Sequence, residues 1–321
     1  MFAVFAESIN PESPLDGLTV GEQPGPDVPD GWTTVTVKAA SINHHDVWSL
    51  RGVGLSSEAL PMTLGCDAAG FDEDGNEVLV HAVISDPHWL GDETLDPKRS
   101  LLSERYAGTF ADQVAVPKRN VVPKPAGLSM AQAACLPTAW LTAYRMLFTQ
   151  SGLRQGDSVL IQGAGGGVAT AAISLARAAG FRVFATSRDE AKRSQALELG
   201  AHEVCEPGQR LSQKVDAVIE TVGAATWAHS VRSMRPGGTI VVAGATSGDA
   251  PPAELTRMFF LQMRVHGSTM GTRDELRGLA QFMDITGVRP IIDREIPMEQ
   301  ARDGLQSVID GDVFGKVVLT R

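Results

Sequence analysis

Two groups of residues in this sequence have the types and spacing to do chemistry. The first is Gly163-Ala164-Gly165-Gly166-Gly167-Val168, which follows the apolar run Val159-Leu160-Ile161 and opens a stretch with Val168, Ala172, Leu175 and Ala179 on one stripe. Strand, glycine turn and helix in that order make a phosphate cradle. Glycine lets the backbone approach a pyrophosphate, and the N–H groups of the helix's first turn, which lack intrahelical partners, face the negative charge. Gly180 supplies the helix stop. The second group is Asn43-His44-His45-Asp46, an amide, two imidazoles and a carboxylate in succession. Imidazoles titrate near neutral pH and suit proton transfer, whereas Asn and Asp in such a run also serve as caps for the backbone of a turn.

The nucleotide that the cradle prefers is read from the next strand. The β-rich run Phe181 to Thr186 ends about twenty residues past the glycines, where an NAD-binding unit places an acid on the ribose 2′-hydroxyl. Ser187 and Arg188 stand there instead. A hydroxyl and a guanidinium suit a 2′-phosphate, and Lys192 and Arg193, one turn into the following helix, add charge. The expected cofactor is therefore NADP(H). The plainer alternative is a solvated basic helix start with Asp189 taking the ribose.

Several elements must position these groups. From residue 1 to 124, short alternating runs (Trp32 to Ala40, Glu77 to Ile84, Phe110 to Val116) separated by Gly and Pro predict an antiparallel β domain. From 125 to 271, strands at Val159–Ile161, Arg182–Thr186, Val215–Glu220, Thr239–Ala243 and Met263–Gly267 alternate with helical stretches, which predicts a doubly wound parallel sheet. The tail, 272 to 321, offers a helix (Arg273 to Ile285), a strand (Pro290 to Glu295), a helix (Met298 to Ile309) and a last strand (Gly315 to Thr320). A cofactor domain inserted in a β domain, completed by this tail, explains the order.

Composition agrees with a two-domain globular protein of 321 residues, 43% hydrophobic and 21% charged. A net charge of -10 and the lack of a basic, aromatic-laced cluster argue against nucleic acid as a partner. The three cysteines, Cys66, Cys135 and Cys205, lie far apart and form neither a disulfide framework nor a Cys-x-x-Cys clip. The N-terminus has no basic region followed by a long apolar run, and no segment is long enough to span a bilayer, so the expected location is the cytoplasm.

Motifs along the chain resemble the medium-chain dehydrogenase/reductase superfamily, and within it the zinc-independent quinone oxidoreductase-like branch. They are Asn43-His44-His45-Asp46 with Arg51-Gly52, Pro61-Met62-Thr63-Leu64-Gly65-Cys66-Asp67-Ala68-Ala69-Gly70 and Gly108-Thr109-Phe110-Ala111, then Thr142-Ala143-Tyr144, the glycine turn, Arg235-Pro236-Gly237-Gly238 and Gly315-Lys316-Val317-Val318. The resemblance implies an α/β fold, with a GroES-like antiparallel β catalytic domain and a Rossmann cofactor domain. It also implies cofactor contacts from Gly163, Ala164, Gly166, Gly167 and Val168, from Thr221 and Val222, and from Gly244, Ala245 and Thr246 just after strands. His44 matches a position against the pyrophosphate. Ser268, Met270, Phe314 and Lys316 are expected to close over nicotinamide and phosphates.

The same match places Asn43, Cys66 and Thr138 where the superfamily's alcohol dehydrogenases hold a catalytic zinc. Asn and Thr are poor zinc ligands, so no metal is expected, and Thr138 is assigned to the cofactor. A site built from His44, His45, Cys66 and Asp67 is disfavoured because adjacent histidines diverge. Without a Lewis acid the substrate must be activated by itself, as a quinone or other electron-poor conjugated carbonyl is. The resemblance then casts Asn43 as a donor to the substrate oxygen, His45 as proton donor and Asp46 as the residue that orients their loop. Gly54 falls near the place where enoyl-thioester reductases of the family carry a tyrosine proton donor, which argues against that reaction. The alternatives are a metal-free carbonyl or alcohol reductase, an enoyl-thioester reductase, and an NADPH-binding sensor or structural protein with little turnover. Relatives often pair through the final strand of the nucleotide domain, and the apolar run Phe259 to Gly267 makes a homodimer the expected assembly.

Overall fold

The structure, a computed structural model, describes residues Met1–Arg321. It divides into two compact units, Met1–Ala139 with Met270–Arg321, and Trp140–Thr269.

In the first unit the long strand Trp32–Ser41 is the organising element. Its Thr33, Val35 and Val37 are buried while Thr34 and Thr36 are not, the period of two that a strand with one covered face requires. It pairs antiparallel with Ala68–Phe71, Gln113–Pro117 and Lys316–Thr320, so the tail is built into the sheet beside its longest strand. Ile292–Pro297 lies parallel to Lys316–Thr320 at one edge. A three-stranded sheet (Leu18–Glu22, Phe2–Ala6, Met62–Thr63) lies in the same unit. Two expected strands are shortened. The run Glu77 to Ile84 breaks into Glu77–Val80 and Val83–Ile84, because the Asn120 carboxamide takes the carbonyls of His81 and Val83 out of the ladder. The run from Phe110 becomes Gln113–Pro117. The expected boundary at 124 moves to Ala139, since the helix Met130–Ala134 packs on Trp32–Ser41 and Ala68–Phe71 of this unit.

The second unit is built on a six-stranded parallel sheet in the order Glu203–Cys205, Arg182–Thr186, Ser158–Ile161, Val215–Glu220, Met234–Val242, Arg264–Gly267. Numbered along the chain this is 3-2-1-4-5-6, the order of a dinucleotide-binding sheet. The helix Gly167–Ala178 is covered on more than the expected stripe: every residue from Ala169 to Ala176 is buried. It packs against both the sheet and the helix Leu141–Tyr144, which explains its small side chains. No helix is long and apolar enough to cross a membrane.

Candidate active site and cofactor cradle

In the second unit the glycine turn is a backbone construction. Gly163 and Gly165 sit at φ +73° and +129°, a region open to glycine, and Gly166 caps the helix that Gly167 begins. Thr186, last residue of the neighbouring strand, accepts the Gly163 N–H on its hydroxyl (3.2 Å) and the Ala164 N–H on its carbonyl (2.6 Å). These bonds tie the turn to the residues just before Ser187 and Arg188. A Cβ at Gly165 would meet Lys192 Cδ at 2.8 Å, and one at Gly163 would meet Val222 Cγ2 at 2.7 Å. Lys192 and Val222 thus border the turn. Thr221 accepts the Thr246 N–H at 3.5 Å, and a Cβ on Gly244 would lie 3.0 Å from the Thr221 carbonyl. Gly163–Val168, Thr221–Val222 and Gly244–Thr246 are therefore gathered at the carboxyl ends of the strands, where open α/β sheets bind ligands.

At the end of the second strand, where a 2′-phosphate was expected, Arg188 is exposed and Ser187 is buried, its hydroxyl accepting the Asp189 N–H at 3.2 Å. Asp189 caps the helix Glu190–Leu199 by accepting the Lys192 N–H. Arg193 donates to the carbonyls of Ser187 and Arg188, so it holds this backbone in shape where free charge was expected. The Ser268 hydroxyl is buried without a protein partner.

In the first unit Asn43-His44-His45-Asp46 starts the helix His44–Leu50. Asn43 is extended at its N-cap, and its N–H donates to Asp46 Oδ2 at 2.7 Å, one half of a capping box. The helix stops at Arg51-Gly52, where Gly52 has φ +85°. His44 is exposed on the first turn, His45 is half-buried and Asp46 is fully buried, with Oδ1 lacking a partner. Burial raises the Asp46 carboxyl to about 6.

Asn43 has a different role from the one expected. Its amide nitrogen donates to Ser41 O (3.2 Å) and Asp67 Oδ2 (2.8 Å), which engages both hydrogens, and its oxygen accepts from Lys316 Nζ at 2.5 Å. Lys316 is correspondingly reassigned. It is 3% exposed, donates also to Ile42 O at 2.6 Å, and lies 3.5 Å from the buried Asp67 carboxylate, so its ammonium orients Asn43 instead of reaching for a phosphate. Met270, also expected at the cofactor, is buried in the apolar core of this unit. Phe314 is half-buried, with its N–H on Asp293 Oδ1. Thr138 lies in the π-helical turn Leu136–Trp140, and its hydroxyl is buried without a protein partner.

His45 is gripped at both nitrogens. Nε2 lies 3.0 Å from Glu104 Oε1, while Nδ1 faces Cys66 Sγ at 3.4 Å and Ser103 Oγ at 3.5 Å. Burial opposes a charged ring, but Cys66, Glu104 and Asp46 together outweigh it and hold the His45 pKa well above its ordinary value. Burial pushes the Cys66 thiol up, and its S–H donates to Leu102 O at 3.1 Å. Neither Glu104 nor Ser103 stood out in the sequence, where both lie in an undifferentiated polar loop.

A metal at the positions inherited from zinc-holding dehydrogenases fits poorly. The Asn43 oxygen is bound to an ammonium that would repel a dication, and Thr138 offers a hydroxyl. His45, Asp46 and Cys66 do bring ligand-type atoms within 4.8 Å of one another. The thiol there keeps its proton on Leu102 O, in surroundings that favour the neutral form.

A family described as "Alcohol dehydrogenase GroES-like domain" matches residues 29–126, and one described as "Zinc-binding dehydrogenase" matches residues 167–284. The chain is 28% identical over 330 residues to an alcohol dehydrogenase of Geobacillus stearothermophilus, covering 94% of this chain and 96% of that one. It is 28% identical over 307 residues to a quinone oxidoreductase of Mus musculus, covering 89% and 88%. Among solved structures, an NAD-dependent alcohol dehydrogenase is 33% identical with a TM-score of 0.93, covering 100% of both chains.

Proposed function

The chain belongs to the medium-chain dehydrogenase/reductase superfamily of oxidoreductases, and from that premise we propose that it reduces a quinone or other conjugated carbonyl or double bond with NADPH, without a metal ion. The observation that carries this reading is Asn43: where zinc-holding relatives need a ligand, this chain has a carboxamide saturated by Ser41, Asp67 and Lys316. A substrate that spreads the incoming charge onto its own oxygen needs no Lewis acid.

Bound NADPH would supply the hydride, cradled by Gly163–Val168 with its 2′-phosphate toward Ser187, Arg188 and Lys192. The protein's own residues supply the rest. Lys316 and Asp67 lock Asn43, Asn43 and Asp46 set the start of the helix, and that helix presents His45 as the proton donor. His44, Thr138, Ser268 and Phe314 remain proposed cofactor contacts. The unpartnered hydroxyls of Thr138 and Ser268 support that role for both, since a buried hydroxyl without a partner is costly until a ligand meets it. We also propose a homodimer, because Phe259 and Phe260 are 69% and 80% exposed beside the unpaired edge strand Arg264–Gly267.

NADPH oxidation measured with a panel of quinones and enones tests the activity, with saturation expected for at least one. Silence across the panel would favour a nucleotide sensor. Stoichiometric zinc in the purified protein, with chelator-sensitive activity, would overturn the metal-free reading in favour of a metal held by His45, Asp46 and Cys66.

A further inference from the structure

The grip on His45 comes from a residue that the activity proposed above leaves unassigned. Glu104 Oε1 takes His45 Nε2 at 3.0 Å, and Oε2 accepts the Leu101 N–H at 3.1 Å, so both carboxylate oxygens are fixed. The turn behind it is held as well: Ser103, at φ +65°, donates its N–H to Tyr106 O, and the Leu102 N–H goes to Ala82 O. On the other side stands Gly54, at φ +82°. A Cβ there would lie 2.7 Å from Glu104 Oε1 and 3.3 Å from its Cδ, so a side chain at 54 would push the carboxylate off the imidazole.

We infer that Glu104 is the positioning residue for His45, holding the imidazole through Nε2, and that Gly54 leaves the space in which Glu104 does this. The inference rests on the proposed reduction. With Nε2 on Glu104 and Nδ1 against the Cys66 thiol and the Ser103 hydroxyl, the ring has a single orientation. The titratable groups facing the ring are Glu104 from this turn, Cys66 from the turn before Ala68–Phe71, and Asp46 from the ring's own helix. Hydride added to a conjugated acceptor leaves negative charge on its oxygen. The His45 imidazolium gives that oxygen a proton and is left neutral, still hydrogen-bonded to Glu104. The acceptor thus gains a hydride and a proton, and the dihydronicotinamide is oxidised by two electrons.

Steady-state kinetics of the full-length enzyme with NADPH and an accepted quinone or enone test this in wild type, Glu104→Ala, Glu104→Gln, Gly54→Ala and the Gly54→Ala/Glu104→Ala double variant, with melting curves to verify folding. Glu104→Ala should lower kcat by about 10- to 100-fold with KM within about threefold. The basic limb of its pH profile should move down by about one unit or more as the facing charge is lost. Glu104→Gln should recover part of kcat but not the pH limb. Gly54→Ala should reproduce most of the loss in wild type, yet add less than about twofold when Glu104 is already Ala. Unchanged kcat and pH limb in Glu104→Ala would overturn the inference, as would equal Gly54→Ala losses in both backgrounds. If wild type is silent with every acceptor, the reduction reading fails separately. NMR titration of the His45 ring then decides the positioning alone, with a pKa lower by about one unit or more expected in Glu104→Ala and an unmoved one refuting it.

Discussion

The glycine turn of the second unit and the helix start of the first are built by opposite means. The turn Gly163–Gly167 is made of backbone: positive φ at Gly163 and Gly165, a glycine N-cap, and anchoring bonds to one neighbouring strand end. The start at Asn43–Asp46 is made of side chains held by other side chains, from Asp67, Cys66, Glu104 and Lys316. A backbone site needs a few small residues in a row and tolerates change elsewhere. A side-chain site depends on partners scattered along the chain, so the same residue can be a donor to substrate or a spoken-for strut.

Three substitutions would break or sharpen this contrast. The largest effect is expected from Lys316→Met, which strands the buried Asp67 carboxylate; denaturant unfolding should show a loss of about 3 kcal/mol or more. A loss under about 1 kcal/mol would mean that the ammonium is not the countercharge of that network. Gly166→Leu acts on the other site by another route. Its φ is -73° and a Cβ there meets nothing within 4 Å, so the melting temperature should hold. Calorimetric nucleotide affinity should nevertheless fall about a hundredfold, or ~3 kcal/mol, because the side chain occupies the phosphate approach. Intact binding would remove the cradle from the proposed site. The smallest effect is expected from Arg188→Ser, which should cut the preference for NADPH over NADH about tenfold, ~1.4 kcal/mol. Wild-type protein stabilised equally by both nucleotides would refute the 2′-phosphate assignment outright.

The second unit was the more legible in sequence. Five of its six strands stand out as β-rich runs between helical stretches, and the fold differs mainly by adding Glu203–Cys205, three residues in a polar context too short to show a period. The family motifs likewise pointed to both domains. The first unit was harder. Apart from Trp32–Ser41 its strands are brief, and the run from Glu77 is interrupted where the Asn120 side chain takes over backbone groups, a choice made by tertiary neighbours. Lys316 looked like a phosphate ligand because a lysine in a short motif carries no sign of where its ammonium ends. Met270 looked like a lid residue because a single apolar residue in an irregular stretch has no periodic context to show that it is core. Glu104 had no signal at all beyond its loop.

What the sequence alone determined is the phosphate cradle, the alternation of strands and helices behind it and the presence of an imidazole pair beside an amide, since these depend on residues within one or two turns of each other. Only the tertiary structure decided what holds each nitrogen of His45 and what Asn43 is for. His45 and Glu104 lie 59 residues apart and Asn43 and Lys316 lie 273 apart, and a hydrogen bond over such distances exists only once the chain has folded and its burial has made every unpaired polar atom costly.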